Sequence, residues 1–372
     1  MNYICKHCSK TYPAEASLWR CECGASLWCD FTPSFSRKDI RQDDLTMWRY
    51  DAAYPVKRSE VVATYNEGLT SLARMSWEGL NLLVKMDSLM PTGSFKDRGV
   101  VMVVNFLRKL GVRRITEDSS GNAGASTAAY AAVAGIDCDL YVPAGASEGK
   151  LMQARLYGAN VHIIGGSRDS VALAAQESEH GGVYAGHNWH PLFVQGTKSA
   201  AYEIWEQNGF RAPDVAVCAA GNGSTLIGLY LGFSELLASG EIEKLPRLYG
   251  VQAENCNTLH RAFHNLSLDY EVKPTIAEGI SLYRPSKVDE VVSMARESGG
   301  DILSVSESGI KKALLQAGKK GLCIEPTSAT TFAGLEQLRL AGTIGEGESV
   351  AVMVSGNGLK SPSTIMSIMN EP

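Results

Sequence analysis

From about residue 95 onward, short apolar runs alternate with segments of helical character. Residues 114–117, 138–142, 161–164, 215–219, 248–252 and 350–354 read as strands. Residues 98–110, 123–134, 150–157, 199–207, 226–237 and 309–317 read as helices. Gly111, Gly135, Gly158, Gly209 and Gly318 stand where these helices end, as expected where a chain must turn left-handed to leave a helix. Repeated strand–helix alternation predicts an α/β fold, an open parallel sheet with helices on both faces. The length, 372 residues, predicts two or three domains at about 150 residues each. With 45% hydrophobic and 20% charged residues, the composition excludes a disordered, collagen-like or coiled-coil chain.

Three polar, glycine-containing turns follow predicted strands: Ser119-Ser120-Gly121-Asn122-Ala123-Gly124, Gly221-Asn222-Gly223-Ser224-Thr225 and Ser355-Gly356-Asn357-Gly358. In a parallel sheet such turns lie at the carboxyl ends of the strands, where ligands bind. The second has the makings of an anion site, because glycine lets backbone N–H groups approach an oxyanion at a helix N-terminus. It is not a Walker loop. The only similar string, Gly196-Thr197-Lys198-Ser199, inserts Thr197 and has Pro191 in place of the upstream glycine. A phosphate held without a P-loop lysine suggests a small phosphorylated cofactor. Upstream, Pro91-Thr92-Gly93-Ser94-Phe95-Lys96-Asp97-Arg98-Gly99 sets a lysine just before a strongly apolar helix. The helix dipole disfavours a cation there, and a lysine so placed is primed as a nucleophile or Schiff-base former.

The formal net charge of −5 gives no general attraction to nucleic acid or anionic membranes. No apolar run approaches the roughly 18 residues of a membrane span, and the first ten residues, MNYICKHCSK, lack the apolar core of a secretion signal. A cytoplasmic protein is expected. Five of the nine cysteines fall in the first 29 residues, and an odd count without a signal argues against a disulfide framework. Residues 31–60 are polar, and the stretch PSFSRKDIRQDD reads as a linker. Gly145-Ala146-Ser147-Glu148-Gly149 matches a serine nucleophile elbow, but a serine just before a helix is an N-cap by default. His187 and His190 read as structural or substrate-lining histidines.

PTGSFKDRG resembles the lysine motif of the threonine synthase branch of the fold-type-II pyridoxal-phosphate enzymes. SSGNAGAST, GNGST and SGNGLK resemble that family's asparagine, phosphate and C-terminal loops, and GTKSAAYEIWEQ its helix before the phosphate loop. The resemblance implies a two-domain parallel-sheet fold with pyridoxal 5'-phosphate in the cleft between the domains. The large domain would comprise residues 33–96 and 192–372, and the small one residues 97–191. Lys96 would form the Schiff base and act as general base, and Asn122 would bond the cofactor's phenolic oxygen. Gly221, Asn222, Gly223, Ser224 and Thr225 would cradle its phosphate. Ser355 would meet the ring nitrogen as a neutral partner, which suits elimination and replacement. Ser119, Ser120, Gly121 and Ala123 would receive the substrate's carboxylate.

Cys5-x₂-Cys8-x₁₂-Cys21-x-Cys23 resembles the zinc ribbon that precedes many members of that branch, with a tighter second knuckle. A structural zinc in a module spanning residues 1–32 is therefore implied, with Cys29 as a spare thiol. The implied reaction is a carbon–oxygen lyase reaction on a small amino acid, most simply O-phosphohomoserine and water to threonine and phosphate, in a homodimer. The family's asparagine and arginine for the substrate phosphate are replaced by His190 and Phe193. Ala277-Glu278-Gly279-Ile280 resembles a loop of serine/threonine dehydratases. Other β- or γ-elimination or replacement, including cysteate- or cysteine-synthase-like use of O-phosphoserine, is the alternative. A zinc-ribbon binding protein with an inactive enzyme fold is the non-enzymatic one.

Overall fold

The structure, a computed structural model, describes residues 1–146, 148–166 and 168–371. Ser147, of the serine-elbow string, lies outside the described residues. The chain forms two compact units, residues 1–68 with 96–197 and residues 69–95 with 198–372. The crossings fall at Gly68–Leu69, Phe95–Lys96 and Thr197–Lys198.

The first unit opens with a small antiparallel sheet in which Asn2–Cys5 lies between Thr11–Pro13 and Leu27–Asp30. So small a module buries little of its own. Tyr3 reaches the ring of Phe106 at 6.4 Å, and Trp19 packs edge-on to Tyr184 and Trp189 at 4.9 and 5.3 Å. The stretch 33–44 is not a free linker, since its Phe35 and Ile40 are buried, and Met47, Trp48, Tyr50 and Tyr54 after it are buried too. Apolar residues spaced singly among charges escape a reading based on runs. Buried Glu67 ties the end of this stretch down, accepting from the Trp48 indole at 2.7 Å and the Tyr130 hydroxyl at 2.9 Å.

The body of this unit is a four-stranded, all-parallel sheet in the order Asn160–Ile164, Asp137–Pro143, Arg114–Glu117, Val183–Tyr184. Helix Lys96–Lys109 is buried on nearly every side, from Asp97 through Leu107. A helix of that kind needs partners on several sides. One is Asn122–Ala134, whose alanines, Gly124 and Ser126 keep its surface low enough for close approach.

The second unit is a six-stranded sheet in the order Asp301–Val305, Arg247–Ala253, Val215–Ala219, Val350–Val354, Leu80–Met86, Leu72–Trp77. All neighbours are parallel except the last pair, an antiparallel hairpin at the edge. Helix Pro326–Leu340 covers one face, and its Phe332 meets Trp77 at 4.5 Å in a core with Val217, Val251 and Val352. Predicted strands 114–117, 215–219 and 350–354 are observed with those bounds. The edge hairpin and strand Asp301–Val305 carry interspersed polar residues and give no apolar run. Among the described residues no helix is long and apolar enough to cross a membrane.

Within this second unit Lys85, on the hairpin, is fully buried. Its ammonium lies 2.5 Å from Glu203 and donates to the Thr70 carbonyl at 2.6 Å and to Gln207 at 2.8 Å. The other Glu203 oxygen accepts the Leu69 N–H at 2.8 Å. Removing one partner leaves an uncompensated buried charge, which costs about 3–5 kcal/mol. Glu203→Gln should lower the chemical denaturation midpoint accordingly. The double variant Lys85→Met/Glu203→Leu should recover most of the loss; equal midpoints for Glu203→Gln and wild type would refute the pair's role.

Candidate active site

In the second unit, residues 92–95 are stitched to the loop after strand Val350–Val354. The Phe95 N–H donates to the Ser355 carbonyl at 2.9 Å, and the Asn357 N–H donates to the Gly93 carbonyl at 2.9 Å. Ser94 pairs with Gly356, and the Lys360 ammonium donates to the Thr92 carbonyl at 2.8 Å. Lys96 is the next residue along the chain, so this backbone ladder sets where its Cα begins.

Lys96 opens helix Lys96–Lys109 in the first unit, with Asp97 in the first turn. Its ammonium lies 5.4 Å from the centroid of the Phe193 ring. Phe193 is fully buried, and Gly99 makes room for it: a Cβ at Gly99 would lie 2.4 Å from a Phe193 ring carbon. Against the same ring stands His187, centroids 5.6 Å apart. Its Nδ1 lies 3.0 Å from Glu117 Oε1, and its backbone N–H donates to Oε2 at 3.1 Å. Glu117 ends strand Arg114–Glu117 and has no exposed surface. Burial pushes its carboxyl up to about 7, held back from rising further by the His187 N–H and the Lys96 charge. His190 lies elsewhere, its ring 6.4 Å from Tyr3 and 6.1 Å from Phe106, with Nδ1 accepting the Leu192 N–H.

The turn after Glu117 leaves Ser119, Ser120 and Gly121 at least partly open to solvent. Gly121 caps helix Asn122–Ala134, and its N–H donates to Ser119 Oγ at 3.3 Å. Asn122 is half-buried at the first helical position and Ala123 is buried behind it. Hydroxyls, N–H groups and a helix N-terminus here offer donors suited to a carboxylate.

In the second unit, Gly221–Gly223 carries the chain from strand Val215–Ala219 into helix Ser224–Ala238. Gly223 has φ +80°, and a Cβ there would lie 2.4 Å from Val291 Cγ2, so both backbone and space require glycine. Asn222 Oδ1 accepts from the Ser286 N–H at 2.7 Å and its hydroxyl at 3.2 Å, bracing the turn from behind. The helix has no acidic residue in its first turn, and Ser224 and Thr225 sit at its mouth. This donor set fits a phosphate. Beside Ser286, Lys287 is buried, and burial pushes its ammonium down to about 8, opposed by Glu290.

Ser355 is nearly buried at the end of the central strand. Its hydroxyl donates to Glu325 Oε1 at 3.1 Å and lies 3.0 Å from the Ser328 hydroxyl. Glu325 immediately precedes helix Pro326–Leu340 and donates its N–H to the Gly356 carbonyl at 3.1 Å. A carboxylate thus stands one hydrogen bond behind Ser355. Glu117, Lys287 and Glu325 carry no site reading from sequence, and His187 only that of a structural or substrate-lining histidine, although a charged residue closing an apolar strand, as Glu117 does, is a usable signal.

The sulfurs of Cys5, Cys8, Cys21 and Cys23 lie within 4.8 Å of one another. Burial raises the Cys21 thiol, but hydrogen bonds from Tyr12 and Cys23 outweigh it and bring the group down to about 6. Cys29 lies opposite Tyr3 in the small N-terminal sheet, outside that group. Four sulfurs at this spacing are a donor set for a tetrahedral metal.

A family model for pyridoxal-phosphate dependent enzymes matches residues 64–356. The chain is 32% identical to the threonine synthase of Methanocaldococcus jannaschii, covering 99% of this chain and 95% of that protein. It is 34% identical to the threonine synthase of Halalkalibacterium halodurans, over 88% of this chain and 94% of that one. Among solved structures, the threonine deaminase of T.th. superposes with TM-score 0.66 at 25% identity, covering 78% of this chain and 92% of that chain. With a family model spanning most of its length and relatives matched nearly end to end, the chain belongs to the pyridoxal-phosphate dependent enzymes, in the threonine synthase family.

Proposed function

We propose that the protein is a threonine synthase, converting O-phosphohomoserine and water to threonine and phosphate. The observation that carries this reading is the match to threonine synthases over nearly the whole of both chains. Pyridoxal phosphate, when bound, supplies the electron sink that makes a Cα–H bond acidic. Lys96 carries it and moves the Cα proton through Nζ; Asn122 bonds its phenolic oxygen. The turn Gly221–Thr225 holds its phosphate with N–H groups and hydroxyls, and Ser355 meets its ring nitrogen with Glu325 behind. The hydroxyls and N–H groups of Ser119, Ser120, Gly121 and Ala123 orient the substrate's carboxylate.

A second reading is favoured by Phe193. A buried phenyl ring beside Lys96 cannot make the bidentate contact to a phosphate that an arginine makes. Elimination from serine or threonine, which carry no phosphate to be held at that position, fits that ring better. In the ribbon, four thiolates saturate a structural zinc and leave no open position for catalysis. A cytoplasmic homodimer completes the proposal; a one-subunit mass in solution would refute the dimer.

Lys96→Ala should keep the fold, lose the visible cofactor band and lose turnover by at least about 10²-fold, the usual contribution of a general base. Wild-type turnover in that variant would remove Lys96 from its role. Wild-type enzyme should release phosphate and form threonine from O-phosphohomoserine. Keto acid from serine or threonine, with no threonine from O-phosphohomoserine, would transfer the assignment to the second reading. Freshly purified protein should hold about one zinc per chain, displaced by Cys8→Ser. Metal-free protein with an unchanged melting temperature would exclude the structural zinc.

A further inference from the structure

Glu117 and His187 form a pair that neither the cofactor nor the carboxylate-binding turn accounts for. Both oxygens of Glu117 are engaged by His187, one at Nδ1 and one at the backbone N–H. When Glu117 is ionised it can only accept, so Nδ1 carries the proton it receives; the imidazole is then fixed in place and in tautomer, and a second proton sits at Nε2. Phe193 is neighbour to both the pair and Lys96: its ring centroid lies 5.6 Å from that of the His187 imidazole and 5.4 Å from the Lys96 ammonium. A fully buried carboxylate destabilises a fold unless something offsets it, and such groups gather at working sites.

We propose that His187, oriented by Glu117, donates the hydrogen bond that meets the leaving oxygen of the substrate. This rests on Lys96 being the cofactor-bearing, proton-abstracting residue. As the C–O bond breaks, its electron pair passes to the oxygen, which takes the proton from His187 Nε2. The imidazole regains a proton from water after the product departs. Glu117 is a positioning residue. The shared chemistry is an oxygen leaving group met by an imidazole, either a phosphate-ester oxygen or a hydroxyl.

The titratable and charged groups around the pair come from several elements. Lys96 and Asp97 open the helix, Asp97 accepting the Ser126 hydroxyl at 2.6 Å. Asp118 hydrogen-bonds Glu117 and accepts the Tyr184 hydroxyl at 2.8 Å. On the neighbouring strand, the Cys138 thiol is pushed up by burial and then by the charges of Glu117 and Asp139. Asp139 is itself tied to Arg114 at 2.8 Å and His162 at 2.9 Å. Burial raises Glu117, and with Lys96 carrying the cofactor its charge no longer opposes that rise, so the carboxyl ionises at or above about 7 and its ionised form grows as pH climbs through that range. Ionised Glu117 holds the imidazolium more strongly, so kcat/KM should rise across the same interval.

The test uses holoenzyme of the full chain with Glu117→Gln and His187→Gln, the latter able to keep a donor to Glu117. Both variants should retain the visible cofactor band and lose about 10²-fold in kcat/KM. Glu117→Gln should flatten that rise with pH. The larger His187→Gln loss on O-phosphohomoserine identifies a phosphate oxygen, and on threonine or serine a hydroxyl. Independently of turnover, the His187 imidazole ¹⁵N signal should move on saturation with inorganic phosphate or serine, and less so in Glu117→Gln. Intact bands with wild-type kcat/KM and an unchanged pH profile would overturn the proposal, as would an imidazole signal indifferent to both ligands. A wild-type protein with no cofactor band overturns the Lys96 reading instead, and the imidazole titration still decides on His187.

Discussion

The Phe95 amide donating to the Ser355 carbonyl is the contact on which the site most depends. It belongs to a short ladder that includes Ser94 with Gly356 and Asn357 with Gly93, made by main-chain atoms and so indifferent to side-chain chemistry. Ser355 follows the central strand Val350–Val354, among the most buried backbone in the second unit. Rigidity in that strand therefore passes to the residue before Lys96. A nucleophilic lysine gains from such an anchor because its own side chain is long and flexible.

The surroundings of Lys96 also show how one substitution of size reshapes a site. Gly99 stands one turn after Lys96 and admits the Phe193 ring into van der Waals contact with the helix backbone. That ring gives the lysine an apolar neighbour and packs against the His187 imidazole. Without Gly99 the ring would have no seat, and the Glu117–His187 pair would lose the packing that brings it near the chemistry. The cost of burying Glu117 is offset by two hydrogen bonds from a single histidine.

Much of this was legible in the amino-acid order. Strand 215–219, its glycine turn and the helix after it follow from an uninterrupted apolar run and glycine's freedom of φ, as do strand 350–354 and the turn at Ser355. What was not legible depends on partners far apart in sequence. Glu325 reaches Ser355 and Lys85 meets Glu203 only once the sheet has formed. His187 and His190 look alike in a sequence, yet one ring packs on Phe193 and the other on Tyr3 and Phe106. The stretch 31–60 reads as polar because its aromatic anchors are single residues among charges. Helix Pro326–Leu340 is rich in serine and threonine and buried on most sides, so it lacks the one-sided apolar stripe that announces a surface helix.

The six-stranded sheet has one more consequence, for the order in which a ribosome delivers it. Its strand Val350–Val354 sits between Val215–Ala219 and Leu80–Met86, so the last strand made is a central one. The hairpin Leu72–Trp77 and Leu80–Met86 emerges first, and its parallel neighbour Val350–Val354 follows only after Val215–Ala219, Arg247–Ala253 and Asp301–Val305. Until then Leu82, Leu83 and Val84 present an unpaired apolar edge, the kind of surface on which growing chains aggregate. Sheet closure in this unit is therefore a late event with long loops to close.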